Sequence, residues 1–403
     1  MHIAMLSAEY PPRWGGMGST VFHLSSALAS RGHQVTVITR NGGGKNTPSI
    51  LGVEVISVGW LRIPMEFTRS YGRSALRALK KLNKTNPVDV VHLHCPMISW
   101  SGKQFRDCKM NVAPIVSSLH GSWLGEKDGL LTAKEKNEAA VWANPNDLAI
   151  LLTSNRYAKF ENQALKGSDV CVANSEATKR DFLSRYSAPD DWDCEVIYWG
   201  VDTEMFTPCE IRNKSFRNRF GCSDKDMLLL AVGRLAARKG YGSLLMAFAK
   251  VKSNFPNCKL VIVGRGHLRK RLLNQARNLG ISSSVYIESS MSFEDLAELF
   301  RNADLTVYPS YYEGQGLIPL ESMSSGTPVV TVNHGPLPEM VDSEVGALFD
   351  MGDIESMSET ILNEISDKES LTKKGIIGRE RVLQNFTYEI DADRFIEIYE
   401  RIQ

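Results

Sequence analysis

The sequence YPSYYEGQGLIPLESMSSGTPVV (residues 308–330) has the pattern of a loop, a short helix and a buried strand. The helix is predicted to follow Gly316 and to end at Gly326, with a strand beginning near Thr327. Pro319 fits early in such a helix, where a missing N–H costs little. Glycines before the helix leave its first N–H groups uncovered, so the segment predicts a site that an anion can approach closely.

Two glutamates, Glu313 and Glu321, stand eight residues apart in this segment. Glu313 is expected at the mouth of the anion site, and Glu321 about two helical turns farther on. A carboxylate beside a phosphate-sized site and a second one beyond it suit a sugar nucleotide, because that ligand has hydroxyls on both sides of its diphosphate.

Short apolar runs alternate with helical patterns along the whole chain. The runs are HIAMLSA, QVTVITR, VDVVHLH, APIVSSLH and SDVCVANS, and then MLLLAVGR, CKLVIVGRG, SVYIES, ADLTVYPS and TPVVTVN. Strands that alternate with helices indicate a parallel sheet covered on both faces, and the restart indicates two sheets. We predict two doubly wound, Rossmann-like α/β domains, residues 1–198 and 199–385. Ligands of such sheets bind beyond the carboxyl ends of the strands.

The composition is that of an ordinary soluble protein, with 43% hydrophobic and 23% charged residues. The net charge of +1 gives no indication of a nucleic-acid partner. No apolar run is long enough to span a membrane, and the start does not resemble a signal peptide. The seven scattered cysteines lack a CxxC motif, which favours reduced thiols in the cytoplasm and no bound metal.

Charged residues at two predicted strand ends are candidates for the site. Arg234 and Lys239 follow the strand MLLLAV in GRLAARKG, where two cations can converge on one diphosphate. The alternative is a solvated basic loop. His120 ends the strand APIVSSLH, and a strand-end histidine is equally often an ordinary structural residue. His92 is expected to face the core, and His94 is a candidate to line the cleft.

The glycines of PPRWGGMGST, Gly15, Gly16 and Gly18, follow the first strand and precede a helix predicted from about residue 19 to 31. Their backbone N–H groups can approach a phosphate or a sugar. A tight turn with no ligand explains them equally well, since the spacing is not that of the dinucleotide fingerprint GxGxxG.

Residues 67–84 contain six cations and no acid. Spacings of three and four place most of them on one helical face, with leucines on or beside the other. Such a helix can lie on anionic lipid, at roughly 1 kcal/mol for each cation near the surface. A basic solvent face on a helix that packs into the core is the alternative.

Taken together, these positions resemble the GT4 family of retaining glycosyltransferases, which have the GT-B fold. The segments that carry the resemblance are PPRWGG (11–16), His120, VANSEATKRDF (172–182), GVDTEMF (200–206), GRLAARKG (233–240), VGRGHLRKRL (263–272), residues 303–330 and PEMVDSEVGALF (338–349). Their order and spacing along nearly the whole chain are specific to the family. Tyr198-Trp199 and Gln315 depart from it, since Pro-Asn and an aromatic residue are usual there.

The resemblance implies a role for each matching residue. Gly16 is similar to the loop glycine that approaches the donor phosphate, and His120 to the histidine that touches the transferred sugar. Arg234 and Lys239 are similar to the pair that neutralises the donor diphosphate.

In the segment 308–330, Glu313 resembles the family glutamate beside the transferred sugar, and Glu321 the one on the ribose hydroxyls. The backbone N–H groups of Gly316 and Leu317 would face the diphosphate or the sugar. The resemblance also implies that the last helix, residues 386–403, packs back on the first domain.

We therefore expect a hexosyltransferase of GT-B fold, with its site in the cleft between an acceptor-binding and a donor-binding domain. The donor would be a UDP-, GDP- or ADP-sugar, no metal or other cofactor would be required, and the anomeric configuration would be retained. The acceptor would be a glycan or a lipid-linked glycan of cell-surface or glycolipid synthesis, reached in the cytoplasm or at the membrane face. A sugar-nucleotide epimerase and a non-catalytic glycosyltransferase-like subunit are the alternatives.

Overall fold

The computed structural model describes residues 1–12, 15–41, 48–138, 144–223, 225–289 and 291–403. The chain divides into two compact units. Unit 1 comprises residues 1–127, 145–200 and 388–403, and unit 2 comprises residues 128–144 and 201–387.

Unit 1 is built on a parallel sheet, which among the described residues has seven strands in the order β3-β2-β1-β4-β5-β6-β7. Its elements in chain order are β1 His2–Leu6, α1 Gly16–Ser30, β2 Gln34–Arg40, β3 Val53–Val58, α2 Glu66–Thr85, β4 Val90–Cys95, α3 Gly102–Asn111, β5 Ile115–Leu119, α4 Trp123–Glu135, α5 Pro145–Gly167, β6 Val170–Ala173, α6 Glu176–Arg185 and β7 Cys194–Val196. The helix α4 begins in unit 1 and ends in unit 2.

Unit 2 repeats the architecture with a parallel sheet of six strands among its described residues, ordered β10-β9-β8-β11-β12-β13. Its elements are α7 Lys214–Asn218, β8 Met227–Val232, α8 Tyr241–Asn254, β9 Cys258–Val263, α9 Arg269–Asn278, β10 Val285–Glu288, α10 Phe293–Asn302, β11 Leu305–Tyr308, α11 Leu317–Ser324, β12 Val329–Val332, α12 Leu337–Met340, β13 Gly346–Phe349, α13 Ile354–Ser366 and α14 Lys368–Asn385.

The chain then returns to unit 1 with the helix α15, Tyr388–Ile402, which packs against α1. Asp391 of α15 is buried and accepts a hydrogen bond at 2.7 Å from the backbone N–H of Gly200, the last residue of the preceding unit 1 segment. The ring of Tyr388 stacks on His23 of α1 at 4.8 Å between centroids.

The predicted doubly wound α/β architecture is confirmed, and each of the ten apolar runs forms a strand. Three strands were not predicted: β3, β7 and β13. All three lie at sheet edges, where a strand pairs on one side only. An edge strand is short or partly polar, so it lacks the continuous apolar run that indicates a central parallel strand.

Candidate active site

Glu313 lies in the loop between β11 and α11, and its Oε1 atom is the centre of a hydrogen-bond cluster. The hydroxyl of Tyr308 donates to this oxygen at 2.8 Å, and the hydroxyl of Ser310 donates to it at 2.6 Å. Nζ of Lys239 donates to the same oxygen and also to the Tyr308 hydroxyl, which lies 2.8 Å away. Three donors therefore fix one carboxylate oxygen of Glu313.

A close backbone contact brings Lys239 to Glu313. The strands β8 and β11 are adjacent, so the loops at their carboxyl ends lie side by side. Gly240 ends the lysine loop with φ 70°, and a Cβ on it would lie 2.2 Å from the carbonyl oxygen of Pro309. Only glycine allows this approach in a left-handed conformation, and the approach directs the preceding side chain into the cluster.

Two arginines stand near this ion pair. Arg238 is buried, donates to the carbonyl of Tyr312 at 3.1 Å, and lies 3.7 Å from Oε1 of Glu313. Arg234 is exposed at the start of the loop and is close enough to contribute to lowering the pKa of Lys239. The structure thus gathers three cations at the carboxyl end of β8.

The cations keep Glu313 ionised. Burial by itself would raise the pKa of Glu313, but Lys239 and Arg238 outweigh it and lower that pKa to about 2. Burial lowers the pKa of Lys239 to about 8, against the opposing effect of Glu313. At neutral pH the pair is a carboxylate and an ammonium, held in a poorly hydrated site.

The helix α11 begins directly after this loop, and its N-terminus is open. Gly316 precedes it with φ 105°, and no side chain caps the helix in the described structure. The N–H groups of the first turn, from Leu317 onward, therefore keep their capacity to bind an anion. The predicted loop, helix and strand of residues 308–330 are confirmed as β11, α11 and β12.

Glu321 lies on α11, and its Oε2 atom is buried without a hydrogen-bond partner among the described residues. Burial raises the pKa of Glu321 to about 7. A buried carboxylate oxygen without a donor is costly, and a ligand hydroxyl is the kind of group that removes the cost.

His120 lies in unit 1, just after β5, and is half-buried. Its ring stacks on Trp199 at 5.0 Å with an interplanar angle of 12°. Nε2 of His120 is 2.9 Å from Nδ1 of His94. His94 is fully buried, so the expectation that it lines a cleft is wrong, whereas His92 faces the core as predicted.

Gly16 is the exposed first residue of α1, and Gly15 precedes it in an extended conformation. The predicted helix from about residue 19 thus starts three residues earlier. Residues 13 and 14 of the motif PPRWGG lie outside the described residues. Gly16 and His120 are in unit 1, whereas the other predicted site residues, Arg234, Lys239, Glu313, Gly316, Leu317 and Glu321, are in unit 2.

Three residues of the Glu313 cluster were not singled out from the sequence: Tyr308, Ser310 and Arg238. Tyr308 ends β11, Ser310 follows in the loop that carries Glu313, and Arg238 precedes Lys239, so position at or just after a strand end was the available signal. No group of three or more His, Cys, Asp or Glu side chains in the described part of the chain is arranged to hold a metal ion.

Comparison with known proteins gives two family matches that follow the two units. A family model described as Glycosyltransferase Family 4 matches residues 14–205, and one described as Glycosyl transferases group 1 matches residues 213–381. An uncharacterized glycosyltransferase of Methanocaldococcus jannaschii is 31% identical over 358 residues, which are 87% of this chain and 85% of that protein. The chain belongs to the group 1 glycosyltransferases.

Other known proteins are similar over nearly the whole chain. A glycogen synthase of Mycobacterium tuberculosis is 28% identical over 425 residues, covering 99% of this chain and 94% of that protein. Among solved structures, sucrose-phosphate synthase from Thermosynechococcus elongatus has a TM-score of 0.81 at 23% identity, covering 99% and 98% of the two chains. Anabaena HepE in complex with UDP-glucose has a TM-score of 0.74 at 18% identity, with both chains fully covered. These likenesses confirm the GT-B fold, and the enzyme is a glycosyltransferase.

Proposed function

We propose that this glycosyltransferase moves a hexosyl unit from a nucleoside-diphosphate sugar to an acceptor hydroxyl with retention of the anomeric configuration. The observation that carries the proposal is the cluster of Lys239, Glu313 and Tyr308 beside the open N-terminus of α11. Cations and a helix N-terminus suit a diphosphate, and a fixed carboxylate suits the hydroxyls of a sugar.

The donor would be held at three places. Lys239, Arg234 and the first N–H groups of α11 bind the diphosphate. Glu321 accepts hydrogen bonds from the ribose hydroxyls, which would satisfy its buried Oε2 atom. By the family resemblance, Glu313 would lie at the sugar, Gly16 would approach the donor phosphate and His120 would contact the transferred sugar. HepE was solved with UDP-glucose and starch synthase IV of Arabidopsis thaliana with ADP, which supports a nucleotide-sugar donor.

In the proposed reaction the bond from the acceptor oxygen to the anomeric carbon forms on the face from which the diphosphate leaves. The bond from that carbon to the phosphate oxygen breaks, and the departing oxygen takes the acceptor proton. Lys239, Arg234 and the α11 N-terminus stabilise the charge that develops on the diphosphate. Glu313 supports the positive charge on the sugar. No step of this scheme calls for a metal or another cofactor.

A panel of UDP-, GDP- and ADP-sugars tests the donor class. A donor at 100 times its Kd raises the free energy of unfolding by about 2.7 kcal/mol, which a thermal-shift assay detects. Incubation of that donor with candidate acceptors should give a product with the donor's anomeric configuration. An inverted product would contradict the mechanism, and conversion of the donor without an acceptor would favour the epimerase.

The acceptor is proposed to be a glycan or a lipid-linked glycan of cell-surface or glycolipid synthesis, reached at the cytoplasmic face of a membrane. The apolar side of α2 packs into the core of unit 1, which leaves a basic face with exposed Arg73, Arg77 and Lys81. The preceding loop exposes Leu61 by 51% and Ile63 by 54%. No helix in the described part of the chain is long and apolar enough to cross a membrane.

Cosedimentation with lipid vesicles tests this membrane contact. Binding to vesicles that contain anionic lipid, weakened by salt and by a Leu61→Ser/Ile63→Ser double substitution, would support it. Equal binding to neutral vesicles, or no binding to either kind, would contradict it.

A further inference from the structure

His94 and His120 are joined by a hydrogen bond between two neutral rings in the core of unit 1. His94 is the penultimate residue of β4, His120 directly follows the adjacent strand β5, and Nδ1 of His94 lies 2.9 Å from Nε2 of His120. Burial lowers the pKa of both rings, that of His120 to about 3, so neither is doubly protonated at neutral pH. Only one of the two facing nitrogens therefore carries the shared proton.

The second ring nitrogen of His94, Nε2, indicates which of the two facing nitrogens carries the shared proton. Nε2 of His94 is buried without a partner among the described residues. A proton on Nε2 would leave a buried N–H donor unsatisfied, whereas a proton on Nδ1 leaves only a lone pair. Orphaned N–H donors are rarer in proteins than acceptors that lack a partner. His94 therefore carries its proton on Nδ1 and donates it to His120.

His120 must then carry its own proton on Nδ1, because its Nε2 accepts. Nδ1 of His120 makes no hydrogen bond with the described residues, and the residue is half-buried. The Trp199 ring, stacked on that of His120, fixes the plane of the imidazole. In the opposite tautomer, Nδ1 of His120 would carry no proton and would accept a hydrogen bond from a hydroxyl. The tautomer therefore determines which substrate group His120 can bind.

His94 is itself held rigidly. It is fully buried and stacks on His92 at 4.3 Å between centroids. His92 is anchored at both nitrogens, with Nε2 2.6 Å from the Ser118 hydroxyl and Nδ1 2.7 Å from the hydroxyl of Tyr399 on α15. The His94 ring cannot turn to exchange its two nitrogens without breaking this packing.

We infer that His94 is a positioning residue that holds His120 in the Nδ1–H tautomer, so that His120 donates a hydrogen bond to an oxygen of the transferred sugar. The inference rests on the proposed function, which places His120 beside that sugar. His94 acts through His120 and does not touch the substrate.

Three substitutions test the inference. His94→Asn keeps an N–H donor at the δ position of the side chain, whereas His94→Leu removes it. The matched control is His2→Leu, which removes another buried histidine of unit 1, bonded to Thr36 and Pro87 and not to His120. We expect His94→Leu to lower kcat at least tenfold, His94→Asn to recover most of that loss, and His2→Leu to lower only the thermal midpoint.

The ring nitrogens of His120 give a readout that a merely structural role would not change. The chain has eight histidines, so ¹⁵N-histidine labelling gives a tractable spectrum, and His120→Asn assigns the signals. The proton of His120 should be on Nδ1 in the wild type and in His94→Asn, and should distribute over both nitrogens in His94→Leu. A wild-type proton on Nε2, or equal kcat in the two His94 variants, would overturn the inference.

The proposed function can fail separately from this inference. A normal transfer rate in His120→Asn would show that His120 does not serve the sugar, whatever the position of the proton. A slow His120→Asn enzyme beside a normal His94→Leu enzyme would leave the proposed function standing and overturn only the role of His94.

Discussion

The hydroxyl of Tyr308 lies 2.8 Å from Oε1 of Glu313 and equally far from Nζ of Lys239. It accepts from the ammonium and donates to the carboxylate, so it completes a closed triangle with their ion pair. Burial and the nearby Glu313 carboxylate raise the pKa of Tyr308 well above its usual value, so the phenol stays protonated. The triangle holds the carboxylate in one orientation before any donor binds.

Tyr308→Phe should lower kcat roughly ten- to a hundredfold, because a hydrogen bond to a charged group contributes about 1.5–3 kcal/mol. Tyr311→Phe is the matched control, since the Tyr311 hydroxyl bonds to Ser243 and Glu138 and not to Glu313. Steady-state kinetics of both variants check the prediction. Equal kcat values in the two variants would show that the Tyr308 hydroxyl does not act on the site.

Gly240→Ala should destabilise unit 2 and lower transfer together. Its Cβ would meet the Pro309 carbonyl at 2.2 Å, so the lysine loop must move away from Glu313. Gly280→Ala is the matched control, because Gly280 has φ 71° and no atom within 4 Å of the added Cβ. The free energy of unfolding of the control should fall by only about 1–2 kcal/mol, which is the cost of an alanine in the left-handed conformation, and its kcat should be normal. Similar kcat values in Gly240→Ala and Gly280→Ala would show that the close contact of Gly240 with Pro309 does not position Lys239.

Sequence reasoning reached Lys239 and His120 because they follow apolar runs at predicted strand ends. Glu313 and Glu321 were found from the loop and helix pattern of residues 308–330. The close contact of Gly240 with Pro309 was not, because it depends on β8 and β11 being neighbours although two strands separate them in the chain. Strand order follows from the packing of the whole unit, which no local pattern encodes.

The same limit applies to His94. The sequence of β4 does not indicate its contact with His120, because His120 follows the neighbouring strand β5. The three unpredicted strands, β3, β7 and β13, have only a weak apolar pattern of their own. They form because each pairs with a neighbouring strand at the edge of its sheet.

Glu321 should make the protein less stable as the pH rises. Burial raises its folded-state pKa to about 7, above its unfolded value, so the folded state holds a proton that the unfolded state has lost. This contribution is fully present below about pH 4.3 and is lost as the pH rises through 7. Thermal midpoints of the wild type and Glu321→Gln should diverge between pH 5.5 and pH 8, with the variant gaining. A difference between the two thermal midpoints that does not change with pH would show that Glu321 does not titrate in this range.

The same Glu321→Gln variant should bind the donor more weakly, because an amide offers one acceptor oxygen where the carboxylate offers two to the ribose hydroxyls. Calorimetric titration with the nucleoside diphosphate alone measures this without the sugar. An unchanged Kd would place the ribose elsewhere.

Whether the Lys239–Glu313 pair serves sugar transfer is tested by kcat of Glu313→Gln beside that of Glu364→Gln. Glu364 forms a comparably buried ion pair with Lys374 elsewhere in unit 2, at 2.6 Å, so both substitutions remove one carboxylate charge from a buried lysine. We expect a loss of roughly 10²–10³ in kcat for Glu313→Gln and near-normal turnover for Glu364→Gln, with both proteins folded. Near-normal turnover in Glu313→Gln, with the donor still bound, would contradict it.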